Sequence, residues 1–175
     1  MPFDTGPVLT RRCVAFALVA FALFCAVVLP PLASVLVAAL SVFALGLSTR
    51  ATLALKKLEA RFQQTFNALL VTNALLIMAM TPLLIILAPT MIEVWQRLLH
   101  DPTLAEHPEK LPQIPQIPTL LFDMLGVWQF VVSARIYGQS TDSGVLSGVL
   151  TTIICFFAMA LFVLFASPLI GLLGG

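Results

Sequence analysis

Four side chains in the oily parts of this sequence could do chemistry: Asn67, Asn73, Asp123 and Gln129. Asp123 lies in TLLFDMLGVWQFVVSAR, from Thr119 to Arg135, where most neighbours are apolar. A carboxylate there could carry a proton or hold a cation, and the amides could bind a polar solute or one another. Polar and ionisable groups in an apolar span are costly, and they mark functional sites by default. A second cluster, His100, Asp101, Glu106, His107 and Glu109, offers metal-ligating atoms in a proline-rich loop. Its spacing matches no ligand pattern, so a solvated acidic loop is expected, with no metal. GxSxG, HExxH, phosphate-loop and dinucleotide signatures are missing. No catalytic residue, no cofactor and no enzymatic activity are therefore expected. Cys13, Cys25 and Cys155 are odd in number and form no CxxC, so they read as small apolar fillers.

What must position these groups is set by composition. Hydrophobic residues make up 60% of the 175 and charged residues 10%, against about a quarter charged in soluble domains. Mean hydropathy is +1.06. So few charges cannot wet the surface of a globule. The fold class is all-α: one polytopic transmembrane bundle over 1–175, its main partner the lipid bilayer. The net charge of +1 identifies no partner, and no nucleic-acid contact is expected.

Apolar stretches near twenty residues place the spans. The first, Cys13 to Leu47, would be about 52 Å long as one helix, too long for a hydrocarbon core of about 30 Å. LPPL at 29–32 breaks it, because Pro30 and Pro31 remove two donors and disfavour helix before them. Spans are predicted at about 13–29, 32–48, 66–88, 118–136 and 145–166, with Pro82 kinking the third. Between the second and third, RATLALKKLEARFQQ puts Ala51, Leu55, Leu58 and Phe62 on one helical face. Arg50, Lys56, Lys57 and Arg61 fill the rest, so an interfacial amphipathic helix from Arg50 to Gln64 is predicted, facing anionic lipid. A second amphipathic piece, TMIEVWQRLLH, carries Met91, Trp95 and Leu98. The loop 100–118 contains Pro108, Pro112, Pro115 and Pro118, which favour an extended strap.

Five spans sort the loop charges. Arg11, Arg12, Arg50, Lys56, Lys57, Arg61 and Arg135 fall on one side, and only Arg97 and Lys110 on the other. The positive-inside rule then makes the first side cytoplasmic, with the N-terminus inside and the terminal GLLGG outside. Asp123 becomes a residue near the outer boundary, with Arg97 its best candidate partner. Asn73 and Gln129 fall at mid-membrane, where they could bond across a helix pair or line a path. Gly144 and Gly148 form a GxxxG, the signature of close helix approach.

Five spans with an inside N-terminus, the segment RFQQTFNALLVTNALLIMAMTPLL and a fourth span ending in WQFVVSAR together resemble the bacterial members of the Yip family of small membrane proteins. Eukaryotic relatives carry an Asp-Leu-Tyr-Gly-Pro signature in a long N-terminal region, and MPFDTGPVLT has none. The resemblance implies a five-span bundle in a bacterial inner membrane and assigns no residue a role. Two functions follow as expectations. The first is a non-enzymatic scaffold or assembly and trafficking factor, working through lipid and other membrane proteins or through self-association. The second is a small transporter or channel, alone or as an oligomer, with polar residues of the third and fourth spans lining its path.

Overall fold

The computed structural model describes residues 6–106 and 108–173. It is helical throughout, and five helices are long and apolar enough to cross a membrane. They are α1 (Pro7–Cys25), α2 (Pro31–Leu55), α3 (Phe62–His100), α4 (Gln116–Ser140) and α5 (Val145–Leu173). The LPPL break is a tight hairpin. Pro30, forced extended by the proline after it, has ψ 153°, and Pro31 opens α2 at the first helical position.

The helices form a closed ring in the order α1, α2, α5, α4, α3, back to α1. Thr10 meets Asn67, and Leu23 lies near Thr81 and Ile85, so α1 and α3 run parallel. The other ring neighbours are antiparallel: Asn73 meets Gln129 and Arg61 meets Ser140, while Thr52 meets Cys155 and Lys56 meets Ser147. Lipid gives helices no hydrophobic reason to associate, so close packing must come from small residues. The buried positions fit that need: Ala17, Ala20, Ala38, Ala44, Ala74 and Ala134 sit among Leu45, Leu69 and Leu70.

The connection between α2 and α3 differs from the predicted interfacial helix. Residues 50–64 are not one element: α2 ends at Leu55, a 3-10 turn covers Glu59–Arg61, and α3 starts at Phe62. The break is a C-cap. Lys57 takes a left-handed φ of 58°, the Leu58 N–H bonds the Leu53 carbonyl at 2.8 Å, and the Lys57 N–H bonds that of Ala54 at 3.0 Å. These are the two bonds of a Schellman motif, which usually has glycine where Lys57 stands. The apolar face is also phased differently, with Leu53 fully buried and Leu55 87% exposed.

The far side departs from expectation as well. α3 runs unbroken through Pro82 and Pro89 and absorbs the second amphipathic piece. Its 39 residues give a length of about 58 Å, so it outruns a core of about 30 Å. The strap is only partly extended: single 3-10 turns cover Pro102–Glu106 and Pro108–Lys110 before the chain reaches α4. His107 and the residues before Gly6 and after Leu173 lie outside the described residues.

Candidate functional site: a polar core inside the helix ring

α3 brings Asn73 eleven residues past its start, and α4 brings Gln129 eleven residues before its end. At 1.5 Å per residue both sit about 16 Å from the same face, level with the midpoint of a core about 30 Å thick. Gln129 Nε2 donates to Asn73 Oδ1 at 2.8 Å. Asn73 is buried and Gln129 half-buried. Both line a cavity of about 90 Å³ at the centre of the ring. Every helix contributes to its wall: Phe21 from α1, Leu45 from α2, Asn73 from α3, Tyr137 from α4 and Thr152 from α5.

Tyr137 was not foreseen as a core residue. It is fully buried, and its hydroxyl lies 2.8 Å from Thr49 Oγ1 of α2, across the ring. It is the chain's one tyrosine, and it stands three residues before the end of α4. That position is just past the predicted fourth span, 118–136, at the start of the polar run YGQSTDSG. The helix in fact continues through Ser140.

The other candidates fall elsewhere. Asn67 is buried at the α1–α3 contact, where Nδ2 donates to Thr10 Oγ1 at 3.1 Å and Oδ1 has no partner among the described residues. Asp123 is exposed on the outer surface of α4, and among the described residues it makes no hydrogen bond or ion pair. It does not line the central cavity. Arg97, its expected partner, is held instead by Glu93 at 2.7 Å, one turn back on α3. Gly148 is the packing member of the GxxxG. A Cβ there would lie 2.2 Å from the Ala134 carbonyl oxygen and 2.8 Å from the Gly138 nitrogen, whereas one at Gly144 would meet nothing within 4 Å. The partner of Gly148 is thus Gly138 on α4, a glycine the sequence pattern did not single out.

The basic residues divide. Lys56 Nζ donates to Ser143 Oγ at 3.2 Å and Ser147 Oγ at 3.1 Å. Arg61 donates to the Ser140 carbonyl at 3.3 Å and pairs with Asp142 at 2.8 Å. The Arg61 hydrogen bond holds the Asp142 carboxyl below the usual carboxylate range. Asp142 has a left-handed φ of 46°, and the Ser143 N–H bonds the Gly138 carbonyl at 3.2 Å. α4 therefore ends in the same kind of cap as α2, and the two caps are tied to each other. Arg50 and Lys57 stay exposed.

On the far side, Asp101 accepts bonds from the hydroxyl and the N–H of Thr103, which hold its carboxyl below the usual range. His100 Nδ1 sits 3.0 Å from the Gln96 carbonyl. Among the described residues no three metal-ligating side chains come together.

The cavity wall offers amides, hydroxyls and the Cys155 thiol, with no carboxylate or imidazole. Such a wall can orient a small polar group or a few waters by hydrogen bonds, but it cannot pass a proton by acid–base exchange at neutral pH. Comparison with protein-family models, with curated proteins and with solved structures gave no match.

Proposed function

We propose that this chain is a non-enzymatic multi-pass membrane protein that acts as a scaffold or assembly and trafficking factor, through contacts with lipid and other membrane proteins. One observation carries the reading: the polar groups inside the ring are paired with each other across helix boundaries, Asn73 with Gln129 and Thr49 with Tyr137. Groups committed in that way lock helices together and leave little for a moving solute. A transporter or channel is the second reading. The central cavity favours it, although about 90 Å³ holds no more than a few waters. The proposed orientation is N-terminus inside a bacterial inner membrane, from the gathering of basic residues at one end of the bundle. The Yip-family kinship is kept as a proposal on the shared layout.

Purified protein in proteoliposomes separates the two functions. No ion or small-solute flux above protein-free vesicles, with a membrane protein cross-linked reproducibly in native membranes, supports the scaffold. Flux that Asn73→Leu and Gln129→Leu abolish establishes the transporter. Orientation is read by cysteine labelling: with the native cysteines replaced, an impermeant reagent on intact cells should reach Lys110→Cys and not Lys57→Cys.

A further inference from the structure

Lys56, Lys57 and Arg61 stand in the connection between α2 and α3 and Arg50 lies inside α2, whereas Arg135 lies inside α4. It stands five residues before the end of α4, about 7.5 Å from it. With the end of α4 at the hydrocarbon face its Cα lies about 7.5 Å inside, from where the long side chain reaches up to the headgroups. Its side chain is exposed, and among the described residues it makes no hydrogen bond or ion pair. Asp142, the acid of the adjacent turn, is held by Arg61. A guanidinium at that depth is stabilised by an anion, and the described residues supply none.

Beside it runs a groove of about 490 Å³ between α4 and α5. Arg135, Gln139 and Ser143 edge its polar end, and Phe130, Val131 and Val149 form its apolar wall. The groove thus joins a cation at headgroup depth to an oily slot running toward the membrane centre. We propose that it seats an acidic phospholipid, the phosphate on Arg135 and Gln139 and one acyl chain along Val131 and Val149. The inference rests on the bilayer-contact reading above and names its lipid class. It adds a site to the anionic-lipid contact expected of the 50–64 segment, where Lys56 and Arg61 are engaged by the α4–α5 turn and Arg50 and Lys57 stay exposed. A second copy of the chain is a poor occupant, because in one membrane it brings its own basic end to the same level.

The test is lipid retention by the full-length protein in mild detergent, read by native mass spectrometry. The probes are phosphatidylglycerol and phosphatidylcholine with identical acyl chains, and glycerol phosphate as the free headgroup. Wild type should retain the acidic lipid about tenfold better than the zwitterionic one, the size expected for a charge-assisted phosphate contact. Arg135→Gln should cut that preference to about twofold, while Arg135→Lys keeps most of it and Lys57→Gln leaves it whole. Gly144→Leu, built where a Cβ meets nothing within 4 Å, should fill the groove and lower retention of both lipids at unchanged charge. Equal retention of the two lipids by wild type, or full preference in Arg135→Gln, overturns the proposal. So does wild-type retention in Gly144→Leu, which keeps the question open to decision if Arg135→Gln fails to fold. Glycerol phosphate binding as tightly as the lipid would also overturn it. None of these outcomes bears on the flux and cross-linking results, so the scaffold reading stands or falls separately.

Discussion

Replacing Gly148 with alanine tests how the fourth and fifth helices meet. The added Cβ would sit 2.2 Å from the Ala134 carbonyl oxygen, 2.8 Å from the Gly138 nitrogen and 3.0 Å from its Cα. Ordinary contact begins at 3.4 Å, so the Ala134 carbonyl must recede by the difference, about 1.2 Å. All three are backbone atoms, and no side chain can rotate away to make room. The helices themselves must part. Overpacking of this kind costs about 1–3 kcal/mol. Glycine's α-hydrogen points at the Ala134 oxygen, and losing that C–H···O contact adds about 0.5–1 kcal/mol. Alanine's better helix propensity returns up to about 1 kcal/mol. Because rigid backbone places the clash in the upper part of its range, the net expected loss is about 2–3 kcal/mol. Gly126→Ala is the control: it lies inside α4 with nothing within 4 Å of the new Cβ, so it should be neutral or stabilising by up to about 1 kcal/mol. The assay is reversible unfolding in mixed detergent and SDS micelles, followed by circular dichroism. Ala134→Gly should not rescue Gly148→Ala, since it removes a methyl and leaves the clashing oxygen. Equal stability of Gly148→Ala and Gly126→Ala would refute the close approach.

Three further outcomes are expected. Asn73→Leu and Gln129→Leu should each cost about 1–3 kcal/mol by stranding the other amide in the core, while the double substitution should be milder than their sum, with a coupling of about 0.6–1.7 kcal/mol in the same unfolding assay. Lys57→Gly should raise stability by up to about 1 kcal/mol, because a left-handed conformation costs an L-residue about 1–2 kcal/mol and glycine returns part of that as chain entropy; a loss of stability would count against the cap. The Arg61–Asp142 link should depend on pH in one direction: the folded carboxyl titrates below its unfolded value, so its contribution is complete above about pH 4–5 and is lost as pH falls through the lower folded value. Hydrogen exchange of the 141–147 amides should show that acid-side loosening in wild type and not in Asp142→Asn.

The number of helices was legible in the sequence because hydropathy over about twenty residues is a strong, local signal. Pro30 and Pro31 split the first long apolar stretch correctly for the same reason, since a missing donor acts within a turn of itself. The break after Leu55 was not legible. Only glycine or asparagine there would have announced a left-handed cap, and Lys57 reads instead as one more basic residue on a helical face. α3 outran its predicted end because polar residues from Glu93 to His100 end a hydrophobic run without ending a helix. Within the polar core, Asn73 and Gln129 stood out because amides are conspicuous in oil. Tyr137, Thr49 and Thr152 did not, since hydroxyl residues are frequent in spans and often bond their own helix, as Thr152 does to the Gly148 carbonyl. Gly138 was hidden for a different reason: its meaning lies in a partner on another helix, and no spacing within α4 reveals it.

The distribution of these links says where the ring can give. In lipid, helix pairs are held by close packing and by hydrogen bonds between them. α1 and α3 share Asn67–Thr10, α3 and α4 share Asn73–Gln129, α2 and α4 are joined across the ring by Thr49–Tyr137, and α2 is tied to the head of α5 by Lys56–Ser147. α4 and α5 are clasped at Gly148. Among the described residues the α1–α2 contact has neither an interhelical hydrogen bond nor such a glycine clasp. Its short loop limits separation at the Pro30 end, so any opening must widen at the basic end, where the cleft edged by Val14, Gly46, Arg50 and Phe62 lies. Motion there would leave the mid-membrane amide pair on α3 and α4 untouched. A transport cycle needs the opposite, a change in the groups that face the central cavity. The polar links therefore restrain the very interfaces that a transporter would have to open, and this is the physical ground on which the static scaffold is preferred.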